Sequence, residues 1–168
     1  MPVDFIGLFG VLAAANVRFV VVGGLAMLLH GVDRLTADVD LVVDLSPESA
    51  LDVVDALTSS GYRPLAPVPA RALADAEQRA AWQRDRGMKV FSFWDTTNQR
   101  PTVDVMLDPP VPFEELWAGA ASFPIGGIDV RVASIAHLVS LKQAAGRPKD
   151  QEDVVRLLAK LRARGGSP

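Results

Sequence analysis

The stretch VVVGGLAMLLHGVDRLTADVDLVVD, from Val20 to Asp44, runs from an apolar strand to a glycine pair, a short helix, a loop and a second strand bearing two aspartates. The segment Ala37-Asp-Val-Asp-Leu-Val-Val is β-branched and apolar apart from its acids, which predicts a strand. Asp38 and Asp40, one residue apart on it, then emerge on the same face. Two neighbouring carboxylates repel unless a cation neutralises them. An all-oxygen site suits Mg²⁺, which is commonly held by one or two carboxylates together with substrate phosphates. The stretch therefore points to phosphoryl-transfer chemistry.

Working outward, Val3 to Ala15 has helical spacing, and Arg18 to Gly23 reads as a strand buried on both faces and ended by Gly23-Gly24. Leu25 to His30 predicts a short buried helix closed by Gly31. Ser46-Pro47-Glu48 opens a helix running to about Ser60, with Gly61 after its end. Tyr62 to Ala66 predicts a short strand, and Ala70 to Arg86 a polar helix. Met88–Trp94 and Thr102–Leu107 alternate as strands across a turn, Ser122–Ile125 and Ile128–Val132 form a hairpin over Gly126-Gly127, and two helices follow on either side of Gly146-Arg147-Pro148. The expectation is an α+β fold, a mixed β-sheet flanked by helices, in a single domain over residues 1–168 with a helical tail at about 133–164.

Composition narrows the classes. The chain has 168 residues, 49% hydrophobic and 22% charged, with no cysteine, so it can bury a core but has neither disulfides nor thiolate metal sites. The start MPVDFIGLFGVLAAANV carries Asp4, lacks a basic region before its apolar run and falls short of the ~20 residues of a membrane span, so a cytoplasmic protein without membrane contact is expected. The net charge of −3 excludes a chain-wide basic field, yet residues 1–60 and 101–141 are acidic while 61–100 and 142–168 are basic. An acidic centre between basic flanks suits a metal–carboxylate site facing a polyphosphate; differing helix surfaces account for the same pattern.

Gly23-Gly24, a helix, Arg34-x-Thr36-x-Asp38-x-Asp40 and an aspartate on a later strand together resemble the nucleotidyltransferase superfamily related to DNA polymerase beta. The late segment Gly146-Arg-Pro-Lys-Asp-x-x-Asp153 adds a likeness to small bacterial enzymes of the AbiEii-like toxin and antibiotic-nucleotidyltransferase groups. The resemblance implies that Gly23 and Gly24 let the backbone approach a triphosphate. It implies that Asp38 and Asp40 hold two Mg²⁺ ions, with Mn²⁺ as an alternative, and that a third carboxylate completes the site as base for an acceptor hydroxyl. Asp104 in Val103-Asp-Val-Met-Leu fills that role best, because an acid on an apolar strand needs a partner or a metal. Asp95 and Asp108 lie in turn-like sequence, where aspartate has local uses.

Arg34 and Thr36 are candidates for nucleotide contact or for capping the strand. Lys142 and Lys149 would face the phosphates from the tail, although a lysine at 142 on an apolar helix could equally snorkel to the surface. Asp150 and Asp153 are read as capping the last helix and pairing locally. His30, His137, Trp82, Trp94 and Trp117 are read as packing residues. The resemblance also departs from the family in having Leu25 after Gly24, with no serine hydroxyl in the turn. The function it implies is transfer of a nucleoside monophosphate from an NTP such as ATP to RNA, including tRNA ends, a protein side chain or a small molecule, with a toxin–antitoxin role and a cognate antitoxin as partner. The alternative is a non-catalytic module of the same fold that binds nucleotide or a partner protein; a third reading makes the basic 61–100 segment a docking surface.

Overall fold

A computed structural model describes residues 3–165. Helix α1 (Phe5–Ala14) is capped by Asp4, whose carboxylate accepts from the Gly7 N–H at 2.8 Å, and precedes β1 (Phe19–Val22). Then come α2 (Gly23–Leu29), β2 (Asp38–Val43), α3 (Pro47–Ser59) and β3 (Tyr62–Pro64). After a 3-10 turn at Ala70–Ala74 follow α4 (Ala76–Arg86), β4 (Val90–Asp95), β5 (Thr102–Met106), α5 (Phe113–Gly119), β6 (Ala121–Ile125), β7 (Ile128–Val132), α6 (Ile135–Ala145) and α7 (Pro148–Ala163). This is the expected α+β architecture with a C-terminal helical segment.

Two elements differ from the sequence reading. The helix expected over Ala70–Arg86 is interrupted at Asp75, whose carboxylate accepts from the N–H groups of Glu77 and Gln78 and so starts a new helix. Helix α2 begins at Gly23 itself, two residues before the expected start. Gly23 has φ +68, and that left-handed step turns the chain out of β1 at once.

The seven strands form one mixed sheet in the order β3-β4-β5-β2-β1-β7-β6, with β2–β5 and β1–β7 parallel and the other pairs antiparallel. Its edges are modest: β3 is three residues long and ends in Pro64, and β6 carries Pro124. Register decides what each face carries. Val39 pairs with Val103 and Val103 with Phe93, while Leu41 pairs with Val105 and Val105 with Phe91. All six side chains are buried. With these in the core, alternation sends Asp38, Asp40, Asp104 and Ser92 to the opposite face, and a slip of one residue would invert the whole set.

The connection from β4 to β5 is held by Asp95, whose side chain is fully buried. It accepts hydrogen bonds from the Thr97 hydroxyl (2.6 Å), the Gln99 N–H (3.1 Å), the Arg100 N–H (2.9 Å) and the Arg100 guanidinium (2.9 Å). Burial alone would raise this carboxyl, but the bonds from Arg100 and Thr97 outweigh it and hold the group well below the usual carboxylate range. Arg100 stacks on the Tyr62 ring, and the Tyr62 hydroxyl donates to the Pro101 carbonyl at 2.9 Å. The turn role expected for Asp95 is thus a buried lock that delivers β5 to β2 in register. Asp95→Ala leaves the Arg100 guanidinium without its carboxylate and is expected to destabilise the protein by about 3 kcal/mol at pH 7, read by urea unfolding. Because the folded carboxyl is depressed, the difference from wild type should shrink as pH falls below about 4.

Candidate functional site

The row of residues that crosses the sheet at Asp40 gathers most of the candidates. Val22 of β1 pairs with Asp40 of β2, Asp40 with Asp104 of the parallel β5, and Asp104 with Ser92 of β4. The Ser92 hydroxyl donates to Asp104 Oδ1. Asp38 begins β2 on the same face as Asp40 and is exposed, as the two-residue period requires. Thr102 stands opposite it on β5.

The glycine pair fits tightly against this row. A Cβ on Gly23 would overlap the Asp40 carboxylate, and one on Gly24 would lie 3.1 Å from Thr36 Cβ and 3.2 Å from its hydroxyl. Glycine is needed at 23 twice over, by φ and by space. Thr36 donates its hydroxyl to the Asp38 carbonyl at 2.9 Å and so caps the start of β2, the second of the two roles weighed for it. Arg34 turns toward the C-terminal helix, where it pairs with Asp153 at 3.5 Å.

Helices α6 and α7 supply the counter-charge. Gly146, left-handed at φ +65, ends α6 and lets α7 fold back beside it. Lys142 of α6 is largely buried, with Nζ 3.2 Å from Asp150 Oδ1 and 2.9 Å from Asp153 Oδ2. Both carboxylates are buried. Asp150 also closes a capping box with Arg147, as the local reading expected. The contact of Asp150 and Asp153 with Lys142 goes beyond that reading. Burial alone would raise Asp150, but hydrogen bonds from Arg147 and Lys142 bring it down to about 2. Lys149 is exposed on the outside of α7.

A cleft of about 320 Å³ opens between this row and α6, lined among others by Gly23, Asp40, Asp104, Lys89, Lys142 and Arg147. Two of these cations, Lys89 and Arg147, escape a sequence reading. Lys89 looks like an ordinary exposed residue at a strand start, and Arg147 like a capping residue of a Gly-Arg-Pro turn; β4–β5 pairing brings Lys89 to the acids, and the α6–α7 turn brings Arg147 to the other wall of the cleft. Gly24, Arg34, Thr36 and Asp38 do not line the cleft. Arg34 lines a separate one with Leu28, Leu35 and Arg156.

The electrostatics follow from burial among like charges. The Asp40 carboxyl is pushed up to about 6, chiefly by burial and then by Asp104, with Asp38 adding to the rise and Lys142 and the Gly24 N–H opposing it. Asp104 is raised too, first by burial and then by Asp38, against the hydrogen bond from Ser92. Such a set gains by taking up a hard divalent cation, since its free donors are carboxylate oxygens and its cost is mutual repulsion. Among the described residues no three acidic or histidine side chains are drawn together as a finished metal cage. Elsewhere, His30 is buried, 2.8 Å from the Ala133 carbonyl through Nε2, and Trp82 packs on Phe91 in the core. Trp117 carries the guanidinium groups of Arg18 and Arg131 on its ring.

Solved structures with this fold are distant in sequence. ANT(2")-Ia, crystallised in complex with adenylyl-2"-tobramycin, is 16% identical over 94% of this chain and 87% of its own, with a TM-score of 0.58. The lincosamide antibiotic adenylyltransferase LnuA, bound to lincomycin, is 13% identical over 94% of this chain and 98% of its own, with a TM-score of 0.57. An antigenic nucleotidyltransferase-like protein from Paracoccidioides brasiliensis is 18% identical over 91% of this chain and 72% of its own, with a TM-score of 0.55. No curated protein matches the sequence at a significant level. A family profile described as nucleotidyl transferase AbiEii toxin, type IV toxin–antitoxin system, matches residues 7–163. With that match spanning nearly the whole chain and a sheet shared with known nucleotidyltransferases, the chain belongs to the AbiEii family of nucleotidyl transferase enzymes.

Proposed function

We propose that the protein transfers a nucleoside monophosphate from an NTP to an acceptor hydroxyl with release of pyrophosphate, using Asp38, Asp40 and Asp104 as its metal-holding carboxylates. The observation that carries this reading is the register of Asp40 opposite Asp104 on parallel strands, at the floor of a cleft rimmed by Lys89, Lys142 and Arg147. Mg²⁺, as two ions or with Mn²⁺ in its place, would be held by these carboxylates and would supply positive charge to offset that developing on the leaving oxygen.

The chain's own residues do the rest. Gly23 and Gly24 keep the turn beside Asp40 free of side chains, so the triphosphate lies against backbone N–H groups at the start of α2. Lys142, held in place by Asp150 and Asp153, faces the same cleft and stabilises the β- and γ-phosphates together with Arg147. Arg34 and Thr36 act indirectly: Thr36 fixes the start of β2, and Arg34 ties the preceding loop to Asp153. Asp104 accepts the acceptor hydroxyl's proton as the hydroxyl oxygen bonds to the α-phosphorus and the bond to the β-phosphate oxygen breaks. The family's toxin–antitoxin membership supports a cellular RNA or protein acceptor and a cognate antitoxin as partner. No described helix is long and apolar enough to cross a membrane.

Incubation with Mg²⁺, labelled NTPs and total tRNA or cell lysate should give labelled product. Asp40→Asn and Asp104→Asn should each lower transfer by about a thousandfold with the fold intact by circular dichroism. Transfer that persists in the Asp38→Ala, Asp40→Ala double variant overturns the assignment of these carboxylates, whereas a wild-type protein that transfers nothing and binds no divalent ion in calorimetry is a non-catalytic binding module.

The same acids predict a stability signature. Below about pH 3.9 Asp40 is protonated in folded and unfolded chains alike and costs nothing; above about 6 it is ionised in both, and the folded state carries the burden of burial and of Asp104. Without metal, Asp40→Asn should therefore raise stability at pH 8 by on the order of 2 kcal/mol, or roughly 4–8 °C in Tm, and the gain should vanish near pH 4. Differential scanning calorimetry at the two pH values measures it.

A further inference from the structure

Of the three acids Asp38, Asp40 and Asp104, Asp104 is the one whose carboxylate takes a side-chain hydrogen bond among the described residues, and the donor is Ser92. The bond runs between strands. Ser92 of β4 stands opposite Asp104 of β5 in the antiparallel register, and both side chains leave the sheet on the face away from the buried Phe91, Phe93, Val103 and Val105. Local preference does not explain a serine at this position. It lies in the run Val90-Phe-Ser-Phe-Trp, where every neighbour is β-branched or aromatic and serine is the weakest strand former. A residue that departs from the local pattern without a packing gain directs attention to a role in the site.

The surroundings narrow that role. Val90, two residues earlier on the same face, lines the cleft with Asp40, Asp104 and Lys89, while Ser92 does not. Trp94, two residues later, is exposed. In the row Asp40, Asp104, Ser92 the serine flanks Asp104 on the side opposite Asp40, just outside the cleft wall. The backbone that carries it is fixed on both sides, by its pairing with β5 and by the Leu65 N–H, which donates to the Ser92 carbonyl at 2.9 Å. Its hydroxyl is therefore a rigidly mounted donor aimed at Oδ1 of Asp104, and no hydrogen bond reaches Oδ2 among the described residues.

We infer that Ser92 is a positioning residue for the transfer reaction proposed above: by donating to Oδ1 it holds the Asp104 carboxylate in one orientation and leaves Oδ2 as the oxygen available to a divalent cation. The inference rests on that reading of the site. Two consequences follow from the bond. It opposes rotation of the carboxylate away from Asp40, the movement that their mutual repulsion favours when no cation is bound. It also disfavours chelation of one ion by both Asp104 oxygens. A ligand carboxylate already set in place loses less side-chain freedom on taking up its ion, which is how a hydrogen bond outside the ligand shell raises metal affinity. Ser92 touches neither cation nor substrate; it acts through Asp104.

The test compares wild type, Ser92→Ala and Ser92→Thr by calorimetric titration with Mn²⁺ alone, by kcat and KM for NTP in the transfer assay, and by urea unfolding. Ser49→Ala is the matched control, since Ser49 donates to the Asp44 carboxylate at 3.2 Å and neither residue lines the cleft. Ser92→Ala should lower Mn²⁺ affinity and kcat by about tenfold or more, with KM for NTP changed less than about twofold, and Ser92→Thr, which keeps the hydroxyl, should restore both to within about threefold of wild type. Ser49→Ala should alter neither. Wild-type Mn²⁺ affinity and kcat in Ser92→Ala, a Ser92→Thr variant no better than Ser92→Ala, or a loss in Ser92→Ala that appears equally in KM and in the urea midpoint each overturn the positioning role and leave the transfer reaction standing. A wild type that transfers nothing, while Ser92→Ala still weakens Mn²⁺ binding, keeps the positioning role and removes the reaction. A wild type that binds no Mn²⁺ removes both.

Discussion

The register of four strands is the constraint on which the rest depends. Burying Val39, Leu41, Val103, Val105, Phe91 and Phe93 on one face leaves Asp40 and Asp104 side by side on the other, with no freedom to move apart. The apolar face wins because six fully buried side chains, each contributing about 1.5–3 kcal/mol, outweigh the repulsion between two carboxylates. Lys142 is the first answer to that repulsion. A largely buried lysine needs anions of its own, and Asp150 and Asp153 supply them; Arg147 and Arg34 in turn answer those. The result is an alternating chain of charge from β2 through α6 and α7 back to the loop before β2. The C-terminal helices therefore belong to the site as much as the sheet does.

How much of this a sequence can disclose depends on the range of the cause. The pairing of Asp38 and Asp40 on one face is a two-residue periodicity, and it is legible at sight. Asp104 is legible as a charge on an apolar strand, and Asp95 as a turn residue. Thr36 has a capping role within two residues, also readable. What fails is whatever depends on elements far apart crossing. Asp153 looks like a local partner in its helix, yet it meets Lys142 and Arg34 only because Gly146 reverses the chain. Lys89 and Arg147 carry no pattern of their own, and they become cleft residues because β4–β5 pairing supplies one wall and α6 with the turn after it supplies the other. The interruption at Asp75 was a question of competition, in which a capping carboxylate overrode the helical propensity of the flanking residues.

The shared fold with ANT(2")-Ia and LnuA persists at 16% and 13% identity. At that distance the sheet and its helices are retained while individual contacts are free to differ. The glycine turn illustrates how little is needed to keep the arrangement: Gly23 supplies both the bend out of β1 and the room for Asp40, so one residue satisfies a backbone and a packing demand at once.

The two borders of the sheet limit how another protein can join it. Strand β3 is short and ends in Pro64, and β6 has Pro124 in its middle, so each offers a broken row of N–H donors. Recruitment by β-augmentation, in which a guest segment extends the sheet, is therefore disfavoured at both borders. A protein that recognises this chain is directed instead to its helices and clefts, where side chains rather than main-chain ladders set selectivity.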